Sequence, residues 1–192
     1  DEIEQRLALV DWRQVAVSSS GNVTLGQPNM SLNLGGVAKG FIADRAARIM
    51  KKKGVKRGIV DAGGDLVLFN AVGEEPFRVG LKHPERPDAK LAVLEVDSAA
   101  VVTSGCYERY VEIAGKRVCH IIDPRTGNPV EGLLSTTIVA EEAASADALA
   151  TAVMVLGLEK GQALIRSLPG VEGLLVWKEG EKLAWWISEG LQ

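Results

Sequence analysis

Between Gly58 and Ile122 the sequence breaks into seven short apolar runs, and this fragmentation restricts the fold more than any other feature. The runs are Gly58 to Val60, Leu66 to Phe69, Phe77 to Leu81, Leu91 to Val96, Ala100 to Thr103, Tyr107 to Ile113 and Val118 to Ile122. Each has the length of a strand, and turn-forming residues punctuate the gaps. Upstream, Gln14 to Val17, Val23 to Leu25 and Ser31 to Leu34 predict a small antiparallel sheet, and Ile3, Leu7 and Val10 fit the end of a helix. Ile42, Ala46, Ile49 and Met50 keep helical spacing after Gly35-Gly36, and Lys51-Lys52-Lys53-Gly54 supplies a cationic last turn with a glycine stop. Ser145 to Leu156 and Gly161 to Ser167 predict two more helices. Gly173 to Val176 and Leu183 to Ile187 predict a closing hairpin around Glu179-Gly180-Glu181. Helices with mainly antiparallel strands make the class α+β.

No repeat, low-complexity tract or long linker interrupts the 192 residues, so residues 1–192 are expected to fold as one domain. The net charge of −3 comes from well-mixed acidic and basic residues, which excludes an electrostatic grip on nucleic acid. No stretch reaches the roughly 20 apolar residues that cross a bilayer, and the opening Asp1-Glu2-Ile3-Glu4-Gln5-Arg6 has no signal-peptide character. Cys106 and Cys119 lack a CxxC or His-rich companion. The expectation is therefore two ordinary free thiols serving as small buried hydrophobes, with no zinc site and no disulfide framework.

Leu34-Gly35-Gly36-Val37-Ala38-Lys39-Gly40 places glycines at a strand-to-helix junction, where backbone N–H groups and the helix dipole can receive a phosphate. A tight turn with a solvated lysine explains it equally well. Lys39 in the first turn opposes the dipole unless an anion sits nearby. Asp61-Ala62-Gly63-Gly64-Asp65 lies between two strands, so it reads either as a plain turn or as a close approach to a ligand flanked by two carboxylates. Asp147 and Thr151 are four apart in an otherwise Ala/Leu/Val/Met helix and share one face. Two such oxygens suit magnesium, or else Asp147 serves the dipole and Thr151 bonds a carbonyl one turn back. His120 stands where a strand meets the turn Asp123-Pro124-Arg125-Thr126-Gly127, a position open to a general base or to a structural histidine; His83 beside Pro84 has less claim. Thr103-Ser104-Gly105 is a small hydroxyl turn, and Tyr107-Glu108-Arg109-Tyr110 reads as a half-buried strand. Nucleophile-elbow and zinc-protease patterns are absent.

The segments LNLGGVAKGFIADRAA, DAGGDL, TSGCYERY, HIIDPRTGNPV and SADALATAVMVLG occur in an order and spacing that resemble the ApbE-type FAD:protein FMN transferases from about Leu9 onward. The resemblance implies an ApbE-like, T-fold-related domain truncated at its N terminus, since members carry a further portion of about a hundred residues that supplies one wall of the FAD cleft. It implies a magnesium-dependent enzyme that takes FAD as substrate, joins FMN to a threonine or serine hydroxyl of an acceptor flavoprotein and releases AMP. By similarity Asp147 and Thr151 match the metal-binding side chains, with backbone oxygens near Ala38 and Ala150 as further ligands. Gly35, Gly36, Lys39, Asp61, Gly63, Gly64 and Asp65 match parts of the FAD pocket, and Thr103 and Ser104 flank the flavin or pyrophosphate. His120 matches the base that deprotonates the acceptor hydroxyl, while Asp123 and Arg125 shape its turn. Cys106 and Cys119 depart from the family's usual polar or aromatic residues. A periplasmic or cell-surface location is implied, with membrane attachment only through a lipid anchor on the precursor. Release of free FMN by FAD pyrophosphatase action, and a non-catalytic FAD-binding fragment, are the rival expectations.

Overall fold

The computed structural model describes residues 2–86, 88–107, 110–113 and 116–191. In chain order these form α1 (Glu2–Leu7), a 3-10 turn at Trp12–Gln14, β1 (Val15–Val17), β2 (Val23–Leu25), α2 (Ala38–Lys52), β3 (Gly58–Ala62) and β4 (Asp65–Phe69). There follow β5 (Phe77–Lys82), β6 (Lys90–Val96), β7 (Ala99–Gly105), β8 (Tyr110–Ile113), β9 (Lys116–Cys119) and β10 (Leu133–Ala140). The chain closes with α3 (Ala143–Leu156), α4 (Leu158–Ser167), β11 (Glu172–Glu179), β12 (Lys182–Ile187) and a 3-10 turn at Glu189–Leu191. Six strands form one sheet in the order β12-β11-β10-β7-β4-β3, and every ladder in it is antiparallel. The hairpins β1-β2, β5-β6 and β8-β9 stand as two-stranded sheets of their own. The α+β class expected from the punctuated apolar runs is what the chain forms.

The sheet separates two apolar layers. On one face Ala100, Val102, Ile138, Phe69 and Leu175 pack with Ala43, Ala47, Ala143, Ala146, Ala150 and Val153 of the helices. On the other, Val101, Val139, Leu68 and Val176 pack beneath β5-β6 through Val79, Leu81, Leu94 and Val96. Adjacent residues of a strand point to opposite faces, so each strand serves both layers.

Three sequence expectations need correction. Strand β10 lies where the sequence suggests no element, yet it is central, pairing β7 on one side and β11 on the other. Burial on both faces removes the apolar-polar alternation that normally marks a strand, and Ser135, Thr136 and Thr137 are all buried within it. Ser31 to Leu34 forms no strand, because the Asn33 Oδ1 atom accepts the Gly35 N–H at 2.8 Å and turns the chain there. On α2 the buried stripe is Gly40, Ala43 and Ala47, whereas Ile42 and Ile49 are exposed. A close crossing with α3 selects small residues for the inward face.

Cys106 and Cys119 are joined by a disulfide and are not free thiols. Their Cα atoms are brought to 4.7 Å by the turn after β7 and the end of β9. A bond closing a loop of that length removes about 3 kcal/mol of chain entropy from the unfolded state. Glu108 and Arg109, expected within a half-buried strand, lie outside the described residues.

Candidate functional site

The helical layer of the sheet carries one polar cluster at the point where α2 and α3 cross. Nothing larger than glycine fits at residue 40, since a Cβ there would lie 2.1 Å from the Ala143 carbonyl oxygen. This contact lets the Gly40 N–H donate to the Asp147 Oδ2 atom at 3.2 Å. One turn along α2, Asp44 accepts the Ala143 and Ala144 N–H groups at 2.9 Å each, capping α3 from another helix. The residue preceding α3, Glu142, offers no side-chain cap of its own. The placement of Asp147 and Thr151 is thus set from α2, across about a hundred residues of sequence.

Asp147 is 3% exposed and has no cationic partner among the described residues. Thr151 lies one turn further, with its Oγ1 atom 3.4 Å from Ser104 Oγ of β7. A Cβ built on Gly36 would stand 3.5 Å from the same Thr151 oxygen, so the glycine-rich junction backs onto it. Lys39, in the first turn of α2, places its Nζ 2.8 Å from both carboxylate oxygens of Asp65, which is 1% exposed. The anion that offsets a cation in the first helical turn is therefore this carboxylate. Thr136, the register partner of Ser104, is fully buried with no hydrogen-bond partner for its hydroxyl among the described residues.

Asp61 and Thr103 fall on the other face of the sheet. They line a cavity of about 190 Å³ with Gly64, Tyr107, Ser135 and Thr137. The Thr103 and Thr137 hydroxyls bond at 2.8 Å across the β7-β10 ladder. Thr103 and Ser104, though adjacent, thus serve different sites, and Asp61 and Asp65 are divided in the same way. Gly63 and Gly64 have φ of 67° and 95°, and Asp61 Oδ1 accepts the Gly64 N–H at 2.7 Å. The β3-β4 hairpin turn alone requires both glycines.

His120 is exposed and directly follows β9. Its neighbours Cys119 and Ile121 are 8% and 7% exposed and anchor its backbone on both sides. The following turn is tied by Asp123, which accepts the Arg125 N–H at 2.8 Å and pairs with its guanidinium at 2.7 Å. Arg125 hydrogen bonding holds the Asp123 carboxyl below the usual carboxylate range. Arg125 also donates to the Val155 carbonyl at 3.1 Å, linking the His120 turn to the end of α3. His83 is buried, and its Nδ1 accepts the Glu85 and Arg86 N–H groups at 3.1 and 3.2 Å, a structural assignment.

The sequence profile of the ApbE family matches residues 1–175. The chain belongs to that family. It is 39% identical over 164 residues to a FAD:protein FMN transferase of Klebsiella pneumoniae, an alignment covering 84% of this chain and 47% of the relative. It is 37% identical over 196 residues to the FAD:protein FMN transferase of Treponema pallidum, covering 93% of this chain and 54% of that one. The chain spans about half the length of these curated relatives. Among solved structures, the ApbE protein of Thermotoga maritima superposes with a TM-score of 0.87 at 35% identity, covering 98% of this chain and 61% of that chain. The flavin transferase ApbE of Vibrio cholerae gives 0.85 at 26% identity, covering 99% and 60%.

Within this ApbE domain, the donors near α3 fit a hard divalent cation. A buried carboxylate with one N–H partner and no opposing charge is costly unless a cation joins it, and Thr151 offers a second oxygen one turn away. No group of three or more His, Cys, Asp or Glu occurs among the described residues, so substrate oxygens, backbone carbonyls or water must complete such a site. Sequence reasoning missed Asp44, Thr136, Ser135 and Thr137. Asp44 acts across a helix crossing that no local pattern announces, whereas the β-branched enrichment of Thr136 to Val139 offered a usable strand signal.

Proposed function

We propose that this chain supplies the metal-binding and proton-accepting part of a FAD:protein FMN transferase, which moves FMN from FAD to a threonine or serine hydroxyl of an acceptor flavoprotein. The observation that carries the reading is the Asp147 carboxylate, buried without a cationic partner among the described residues, one helical turn before Thr151. Asp147 and Thr151 would hold magnesium, with the backbone oxygens of Ala38 and Ala150 as further donors. When bound there, the ion would supply charge neutralisation for the pyrophosphate and the leaving AMP.

Gly36 backs onto Thr151, and the glycine-rich backbone at the start of α2 would receive the FAD phosphates. Lys39 and Asp65 fix the first turn of α2 beside them. An imidazole nitrogen of His120 takes the proton of the acceptor hydroxyl, whose oxygen bonds to the FMN phosphorus as the bond to AMP breaks. The exposure of His120 leaves room for a protein acceptor and also admits water, so release of free FMN is the competing outcome. The Cys106–Cys119 bond supports an oxidising compartment, the periplasm or cell surface, for the chain.

The test is incubation with FAD, magnesium and a threonine-containing acceptor peptide, following AMP release and peptide mass. Asp147→Ala is expected to lower transfer by roughly 10²-fold or more, the scale of losing one electrostatic contact to a transferring phosphoryl group. Transfer at the unaltered rate by that variant would remove Asp147 from the chemistry. AMP with free FMN would identify a pyrophosphatase, and tight FAD binding without AMP a binding fragment.

A further inference from the structure

Among the described residues the β8-β9 hairpin pairs with no other strand, yet it delivers His120. On its C-terminal side His120 is anchored by buried Ile121, by the Val130 N–H donating to the Ile121 carbonyl at 2.9 Å, and by the Arg125 bridge to Val155. On the N-terminal side the covalent link is Cys119 to Cys106. Cys106 is itself seated on the main sheet, where its N–H donates to the Leu134 carbonyl at 3.1 Å. It follows Gly105 at the end of β7, two residues after Ser104, which contacts Thr151. The disulfide is thus the shortest covalent bridge between the strand bearing the Thr151 contact and the residue before His120.

We propose that the Cys106–Cys119 disulfide is a positioning device for His120, and that its reduction by a dithiol releases the N-terminal hold on the imidazole and shifts it relative to the donor cluster, leaving the Arg125 tie to α3 in place. The proposal rests on the transferase reading for its catalytic consequence, though not for its geometric one. In the redox step the S–S bond breaks and two thiols form with two electrons and two protons from the dithiol, which is oxidised to its own disulfide. Cys106 retains partial solvent access, so a small dithiol can reach it.

The chain contains two histidines, so a proton–carbon spectrum of the imidazoles has two Cε1 signals, and the one missing from His120→Gln belongs to His120. Spectra are taken before and after reduction with dithiothreitol, with two thiols per chain confirmed by titration. The expected result is a His120 signal that shifts or broadens while that of buried His83 stays fixed, and that returns on reoxidation. An unmoved His120 signal overturns the proposal. Loss of both native signals also overturns it, because the bond would then be a general stability element. Cys106→Ala/Cys119→Ala, which cannot reoxidise, must reproduce the reduced spectrum.

In the kinetic arm, reduction is expected to lower kcat for transfer to a threonine peptide by about 10- to 100-fold, the cost of a misplacement near 1 Å. KM for FAD should stay within about two-fold. An unchanged kcat with a shifted His120 signal overturns the catalytic consequence. Absence of AMP or flavinyl peptide from the oxidised chain would instead count against the transferase reading, and the spectra decide the positioning by themselves.

Discussion

Gly40→Ala puts the close crossing of α2 and α3 to a quantitative test. By helix propensity alone the change should stabilise, since alanine is favoured over glycine in a helix interior by about 1 kcal/mol. The structure predicts the opposite sign. The new Cβ would meet the Ala143 carbonyl oxygen at 2.1 Å and the Ala144 nitrogen at 2.7 Å, and both are backbone atoms that no rotamer change can move. Restoring an ordinary C···O contact of ~3.3 Å requires the helices to separate by about 1 Å. Overpacking of this kind costs about 1–3 kcal/mol. The same displacement weakens the Asp44 cap on Ala143 and Ala144, worth about 1–2 kcal/mol. It also pulls the Gly40 N–H from Asp147. Set against the propensity gain, the net loss is about 1–4 kcal/mol, or a fall in Tm of roughly 2–16 °C for a domain of this size. Thermal unfolding by circular dichroism reads it directly. Gly40→Ala and Asp44→Asn should also combine less than additively, since they disturb the same crossing. A Tm equal to or above that of the unaltered chain would refute the crossing as drawn.

Two further outcomes concern polar groups. Thr103→Val is expected to destabilise by about 1–2 kcal/mol, because it deprives the buried Thr137 hydroxyl of its partner, whereas Thr103→Val/Thr137→Val should be closer to neutral; denaturant melts of the two variants check the ordering. The lowered pKa of Asp123 means that its contribution is fully present above the ordinary carboxylate pKa of about 4 and is lost as pH falls through the lower folded value. Amide protection within residues 123–128, taken relative to the intrinsic exchange rate at each pH, should therefore fall below about pH 4 in the unaltered chain, and Asp123→Asn should remove that drop.

Much of the fold is legible in the sequence where glycine and proline punctuate it. The runs that became β3, β4, β5 and β6 lie close to their observed bounds, because the turn residues between them have local causes. That Asp147 and Thr151 lie one turn apart on one helix is equally legible, since the apolar run around them predicts α3. Strand β10 escapes because double-sided burial erases alternation, and the α2 stripe is misassigned because close packing favours Gly40 over the larger Ile42. Thr103-Ser104-Gly105 reads as a turn in the sequence, yet β7 runs through Gly105, and its two-residue period sends Thr103 and Ser104 to opposite faces. The disulfide was not legible, because two cysteines at that spacing fit buried thiols as well as a bridge.

The central place of β10 bears on how the chain is made. Of the six strands in the sheet, β3, β4 and β7 are made before β10, which leaves the edge of β7 unpaired until residues 133–140 are made, and the 28 positions from Gly105 to Leu133 take a few seconds at ~5–20 residues per second. The next element in the chain is α3, which packs on β7 and β10 and sets Thr151 against Ser104. Strands β11 and β12 then add on the far side of β10. In sequence order, α2 and β7, which place the donor pair, both precede α3, and the last strands finish the sheet at its edge without passing through it.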